Sequence, residues 1–375
     1  MGILEWLDSQ GDSWKCHEVY VWAAENARFE VLHWAYAHGC PWSDTVCAYA
    51  IRGGHLEILK WAWSRPRPNA SIGYACMCAA EKGHQHILEW LLRDEKQPWD
   101  GALCMYAAEH GRLDLLKWLR ANGCPWNANI YEKALRNGHL DVARWAKENG
   151  CPPDRWTCLA AADNGCIDII EWAMANGFAP DEDVAYSAAT RGHLNLLQWL
   201  HKQGAPMNAL ICDAAMWNGH VDILWWAAPM WPRWKPSGCN IVARRGYLHV
   251  LEWLHTNGYR LHCDWSTVEA AAKEGHWKVA GWILDNSLSL DRNSANDAYA
   301  GAARGGHLRV IQCLRSHGCP WNDSTCLVAA ARHGHLDVVE WVLANGCPWD
   351  TKAYAGAWEE DNQDIVDWFD AHGYA

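Results

Sequence analysis

Two residue types in this sequence could do chemistry. There are 17 cysteines and 20 histidines, enough for zinc sites, thiol nucleophiles or a pH switch. The spacing of the cysteines argues against the first two. No C-x-x-C pair occurs, and the closest cysteines are Cys76 and Cys78. Instead they return in fixed places: Cys40, Cys124, Cys151, Cys319 and Cys347 each precede a proline, and Cys47, Cys158 and Cys326 stand seven residues after three of these. A zinc site needs four ligands converging from paired spacings, whereas these come one or two to a stretch. The count is odd, and the start Met-Gly-Ile-Leu-Glu-Trp lacks the basic run of a secretory signal, so we expect reduced, buried thiols in a reducing, cytoplasmic compartment.

The histidines form a row of their own. His55, His84, His139, His193, His220, His276, His307 and His335 each follow a glycine. Neighbouring copies on packed helices would stand roughly 10 Å apart, but every ligand of one zinc ion lies within ~2.1 Å of it. No two neighbours can share an ion. We therefore expect each ring at the start of a helix, hydrogen-bonded to an adjacent turn. No nucleophile with a base, phosphate loop or convergent carboxylate pair stands out. The sequence assigns no catalytic residue, no cofactor and no metal site, and the expectation is that the chain is not an enzyme.

The elements that place these residues are clearest between Cys319 and Asp350. Cys319-Pro320-Trp321-Asn322 and Cys347-Pro348-Trp349-Asp350 bracket two short apolar-periodic segments. The first, Thr325 to His333, has Asp323 and Ser324 before it as candidate N-caps and Gly334 after it for a left-handed exit. The second, Leu336 to Ala344, carries Asp337 in its first turn, which suits the positive end of the helix dipole. It ends on Asn345-Gly346, and Pro348 blocks continuation. Helices of about nine residues are too short to stand alone in water. Such a unit must stack on neighbours.

It does recur. The marker Trp341 has counterparts at Trp6, Trp34, Trp61, Trp90, Trp118, Trp145, Trp172, Trp199, Trp226, Trp253, Trp282 and Trp368, with Cys313 in the one slot lacking Trp, at intervals of 27 to 31 residues. A constant period of this size means a repeat array. Apolar residues make up 50% of the chain, enough for one long core, and each marker Trp is expected in it. The chain reads as one continuous array over 1–375: a capping helix in 1–15, about twelve repeats over 16–349, and a polar capping repeat in 350–375. Alanine pairs such as Ala107-Ala108 and Ala302-Ala303 would let first helices of adjacent units approach closely. Two irregular connections, 64–69 and 228–236, are rich in proline and basic residues, and the second adds Trp231 and Trp234; either could be plain connection or contact site. A longer turn falls at 288–293. No apolar run is long enough to span a membrane.

The run A-A-x-x-G-H-L-[DE]-[VIL]-[VIL]-x-W-[LV]-x-x-N-G, as in Ala107 to Gly123 and Ala330 to Gly346, resembles the ankyrin repeat. The Thr-Pro-Leu-His signature of that family is absent, and the period is about six residues below its 33. The deficit falls where a β-hairpin finger projects, so the resemblance implies an all-α, ankyrin-like solenoid with shortened or absent fingers. Short units rich in Trp and Cys-Pro-Trp resemble the divergent ankyrin arrays of giant DNA viruses of amoebae and of some protists.

The resemblance also implies a protein-binding scaffold or adaptor that uses the two residues before the Gly closing each first helix. In the first half of the chain these pairs, from Glu25-Asn26 to Asp163-Asn164, hold three positive and four negative charges. From Thr190 onward they hold six positive and one negative. Arg191, Trp217, Arg244, Arg245, Lys273, Arg304 and Arg332 are the candidate partner-binding residues. We expect a monomer binding one or more proteins with an acidic surface or peptide. With a net charge of −12, nucleic acid is the second choice, served by the same basic strip, and a membrane is not expected.

Overall fold

A computed structural model describes residues 16–39, 45–65, 72–94, 100–286, 291 and 294–374. The capping helix expected in 1–15, the turn at Cys40, positions 66–69 and most of 288–293 lie outside the described residues. Among the described residues all regular structure is helical, in thirteen pairs running from Cys16–Glu25 with Phe29–Ala37 to Thr351–Glu359 with Gln363–Ala371. The unit delimited above is formed by helices Thr325–Arg332 and Leu336–Ala344. Connections between units, such as 122–128 and 149–154, contain no strand.

The chain divides into two compact units, residues 1–187 with 199–206, and residues 188–198 with 207–375. In the first unit the first helices pack in series, among them Gly101–Glu109, Asn129–Arg136 and Arg155–Asp163. In the second, Leu210–Asn218, Cys239–Arg244, Trp265–Lys273, Asn296–Arg304, Thr325–Arg332 and Thr351–Glu359 do the same. Here second helices such as Leu248–Thr256, Trp277–Asn286 and Leu308–Ser316 also contact in series, but less closely. The alanine pairs explain the difference. Ala107, Ala108, Ala302 and Ala303 are fully buried, and a side chain ending at Cβ lets two backbones approach.

In several pairs the inner turn depends on glycine twice over. Gly306 has φ +69°, and a Cβ there would lie 2.7 Å from Nδ1 of His335 in the next pair. Gly54, Gly111, Gly192, Gly246 and Gly275 repeat this arrangement, each under the histidine of the following pair. Two pairs do without glycine, at Ala27 (φ 56°) and Asp361 (φ 60°), which are the positive-φ non-glycine residues among those described. The turn that ends each second helix has a different lock. Asn122, Asn149, Asn176, Asn257, Asn286 and Asn345 each donate a side-chain N–H to the carbonyl of the marker Trp four residues earlier. Helix starts are capped where the sequence allows. Asp154 with Thr157, and Asp264 with Thr267, form reciprocal capping boxes, and Asp323, one of the two N-caps expected there, accepts from the Thr325 N–H at 2.9 Å.

The marker tryptophans are not core residues as a set. Trp34 and Trp253 are buried, but Trp118, Trp145, Trp172, Trp282 and Trp341 are half-buried. The fully buried positions of the last complete unit's second helix are Val338, Val339 and Val342, so Trp341 lies at the edge of the apolar stripe. Its ring packs edge-on against Trp321 of the preceding Cys-Pro-Trp turn, with centroids 6.5 Å apart, as Trp145 does against Trp126 at 5.6 Å. The rings cover the seams between units.

Candidate partner-binding surface

The histidine row forms a ladder. His55 Nε2 lies 2.9 Å from the Glu25 carbonyl oxygen, His84 3.1 Å from that of Arg52, and His220 3.1 Å from that of Thr190. His307 reaches the Lys273 carbonyl at 3.1 Å and His335 the Arg304 carbonyl at 2.9 Å. Where histidine is replaced, another donor takes the rung: Arg112 Nε to Glu81, Arg245 Nη1 to Trp217, Asn362 Nδ2 to Arg332. Each accepting carbonyl belongs to the last turn of a first helix, where it has no partner within the helix. The ring must donate, so its neutral Nε2–H form suffices. At His84 burial works against protonation and holds the pKa below its ordinary value, opposed by the bond to Arg52.

The cysteines of the Cys-Pro turns build a second ladder along the connections. The Cys124 thiol donates to the Asp100 carbonyl at 3.3 Å, and Cys151 to Asn127 at 3.3 Å. Tyr131 and Tyr299 add hydroxyl bonds of 2.8 and 2.9 Å to the carbonyls of Cys151 and Cys319 in the following turns. Burial pushes three of the repeat-slot thiols up, Cys151 to about 12 and Cys158 and Cys347 to about 11, so these three are protonated near neutral pH. Among the described residues no group of three His, Cys, Asp or Glu is placed to hold a metal ion.

The two ladders fix the backbone that carries the basic strip. Arg191, Arg244, Lys273, Arg304 and Arg332 are each the last residue of a first helix, and Arg245 follows Arg244 as a C-cap. All six are exposed. A cation suits a helix C-terminus, where it meets the negative end of the dipole. Their engagement differs. Lys273 pairs with Glu269 at 2.6 Å and Arg332 with Glu359 at 3.1 Å. Both pairs are solvent-exposed and worth little. Arg245 is held in place, donating to the Trp217 carbonyl at 2.8 Å and to Asn218 Oδ1 at 2.6 Å. Trp217 is half-buried and its Nε1 donates to the Ser237 carbonyl at 2.9 Å. Arg244 and Arg304 make no side-chain hydrogen bond or ion pair among the described residues.

The connection 228–236 turns out to be partly core. Trp234 is buried, donates to Asp213 Oδ1 at 3.1 Å and meets the Tyr259 ring edge-on at 5.2 Å. Trp231 is half-buried. In the other irregular connection, Arg65 lies over the rings of Tyr36 and Trp61, 4.6 and 5.1 Å from their centroids. Sequence alone marked these connections, but neither what Trp234 and Arg65 meet nor the rung made by Arg245, because both depend on which unit's turn lies opposite.

Stacked helix pairs, without fingers among the described residues and joined by backbone-directed ladders, define an all-α, ankyrin-like solenoid, a class of protein that generally serves as an interaction scaffold. Residues 104–146 match the family model described as ankyrin repeats (many copies), and residues 322–353 match that of the ankyrin repeat. No curated protein matches the chain. Among solved structures, the pentatricopeptide repeat protein PPR10 from maize is similar at a TM-score of 0.38 and 16% identity, over 96% of this chain and 64% of that one. The human ASB11 ankyrin repeat domain is similar at a TM-score of 0.27 and 17% identity, over 66% of this chain and 99% of that domain. The chain thus spans less than two thirds of the maize protein's length, and both likenesses are weak.

Proposed function

We propose that the chain is a non-enzymatic scaffold or adaptor that binds a protein with an acidic surface or peptide along the strip Arg191, Trp217, Arg244, Arg245, Lys273, Arg304 and Arg332. The observation that carries this reading is the placing of exposed cations on the final turns of four consecutive first helices, Cys239–Arg244, Trp265–Lys273, Asn296–Arg304 and Thr325–Arg332. Unit charges roughly 10 Å apart in water repel by only ~0.4 kcal/mol, so the fold tolerates the row. Their combined field steers an acidic partner and speeds encounter. Within the strip the roles separate. Arg244 and Arg304 are available to a ligand, Lys273 and Arg332 would exchange weak internal partners for it, and Arg245 and Trp217 hold the platform. The short period and Cys-Pro-Trp turns support grouping the chain with the divergent arrays of giant viruses and protists, acting in the cytoplasm.

The test uses Arg244→Glu with Arg304→Glu and leaves Arg245 intact, since its loss would break a rung. Association with an acidic protein recovered by affinity purification should slow by about tenfold at low salt, and its salt dependence should flatten. Unchanged rates would show the strip to be merely a solvated face. Wild-type affinity for generic DNA or RNA that falls steeply with salt would replace the protein reading with a nucleic-acid one.

A further inference from the structure

One seam of the array is left open. At three other seams the marker ring lies on the preceding second helix. Trp61 packs against Phe29, His33 and Tyr36, Trp253 against Trp225, and Trp282 against His255, with centroids 4.8 to 5.9 Å apart. Relative to the preceding marker Trp, those partners stand five residues before, one before and two after. At the slot of Cys313 the marker ring is missing, and the position one before Trp282 is Gly281. Every other marker Trp in the chain is preceded by a longer side chain. The two facing positions are reduced together: a Cβ on Gly281 would lie 3.1 Å from the Cys313 sulfur. The result is an open groove of about 510 Å³ lined by Trp277, Arg309, Gln312, Cys313, Ser316 and His317.

The groove has an apolar wall and a cationic rim. Trp277 is 39% exposed, at the position Phe29 takes in the filled seam. Arg309 and Gln312 are exposed and make no side-chain bond among the described residues. Thiol chemistry is not what the groove offers, although Cys313, His317 and Asp285 adjoin in series. His317 Nδ1 lies 2.7 Å from the Cys313 carbonyl oxygen, so it carries its proton and cannot take the one on the thiol. His317 Nε2 lies 3.2 Å from Asp285 Oδ1, so the ring stands between that carboxylate and the thiol. Burial pushes the Cys313 thiol up to about 11.

We propose that this groove is a docking slot for an aromatic side chain of indole size from a protein partner, with a neighbouring carboxylate of that partner paired to Arg309. The array itself shows what covers the equivalent surface elsewhere, and the free guanidinium selects the charge beside it. A ring entering here restores the edge-on contacts that Trp61 makes in its own seam, and aromatic anchors seated in pockets dominate binding at interfaces. The slot lies between second helices, apart from the first-helix strip, and neither site depends on the other.

The probe is the tripeptide N-acetyl-Asp-Trp-Asp-amide, followed by saturation-transfer NMR and calorimetry on the full chain. A single seated indole should bind with a Kd on the order of 1 mM. Cys313→Trp fills the slot from within and should weaken binding at least tenfold while retaining the helical circular dichroism of wild type. Gly281→Leu fills it from the other wall and serves if Cys313→Trp does not fold. Arg309→Glu should weaken the tripeptide several-fold and leave N-acetyl-Trp-amide unchanged. Equal binding to wild type and both filled variants would overturn the proposal. So would no binding to wild type at about 10 mM, or equal binding of the Asp-Ala-Asp tripeptide.

Discussion

Replacing Gly306 with alanine tests the turn that repeats along the chain. Two separate costs are predicted. At φ +69° an L-residue loses roughly 1–2 kcal/mol to its own carbonyl contact. The new Cβ would also stand 2.7 Å from Nδ1 and 2.8 Å from Cε1 of His335, a ring that cannot yield freely because its Nε2 bonds the Arg304 carbonyl at 2.9 Å. Overpacking of that kind costs a further ~1–3 kcal/mol. Gly306→Ala should therefore destabilise the local units by ~2–5 kcal/mol. His335→Ala alone loses a rung, about 1 kcal/mol, but it also removes the obstacle. In the His335→Ala background the glycine substitution should cost only the dihedral share, ~1–2 kcal/mol, leaving a coupling of ~1–3 kcal/mol. An array need not unfold in one step, so the assay is native-state hydrogen exchange of amides in Asn296–Arg304 and Leu336–Ala344, run on all four members of the cycle. Strict additivity would refute the claim that the ring of the next unit, beyond the dihedral, demands glycine here.

Asp361→Gly and Ala27→Gly should act in the opposite direction. Each removes left-handed strain of roughly 1–2 kcal/mol against a glycine entropy cost of ~0.5–1 kcal/mol, for a net gain of about 0.5–1 kcal/mol, seen as slower exchange in the terminal pairs. No gain in either would mean that those turns are not strained. His84 predicts a pH dependence. Its folded pKa lies below the ordinary 6.5, so the unfolded chain binds more protons and stability rises with pH across that interval. The contribution is present above about pH 6.5 and is lost as pH falls through the lower folded value. Urea unfolding between about pH 7.5 and 5.5 should show this slope, and His84→Gln should reduce it; an identical slope in that variant would refute the assignment.

The sequence by itself determined what is local. Helix boundaries at 325–332 and 336–344 follow from Asp323, Gly334 and Gly346 acting within a few residues, and the histidine row could be placed at helix starts because each follows a turn glycine. That His55, His84, His220, His307 and His335 would reach a neighbouring turn also followed, since a fixed period brings equivalent positions side by side; His139 and His276 make no such bond among the described residues. Tertiary structure decided everything that depends on a second unit's side chain. Trp341 looks like core in a 3.6-residue pattern, yet its ring is half-buried, because Val338, Val339 and Val342 take the fully buried positions and leave the indole at the edge of the stripe. Arg244 and Arg245 are indistinguishable neighbours in the sequence, but only Arg245 reaches the Trp217 carbonyl of the preceding unit. The groove at Gly281 and Cys313 was least legible of all. Each substitution alone is an ordinary departure from the repeat, and only stacking brings positions 32 residues apart face to face and turns two small side chains into one space.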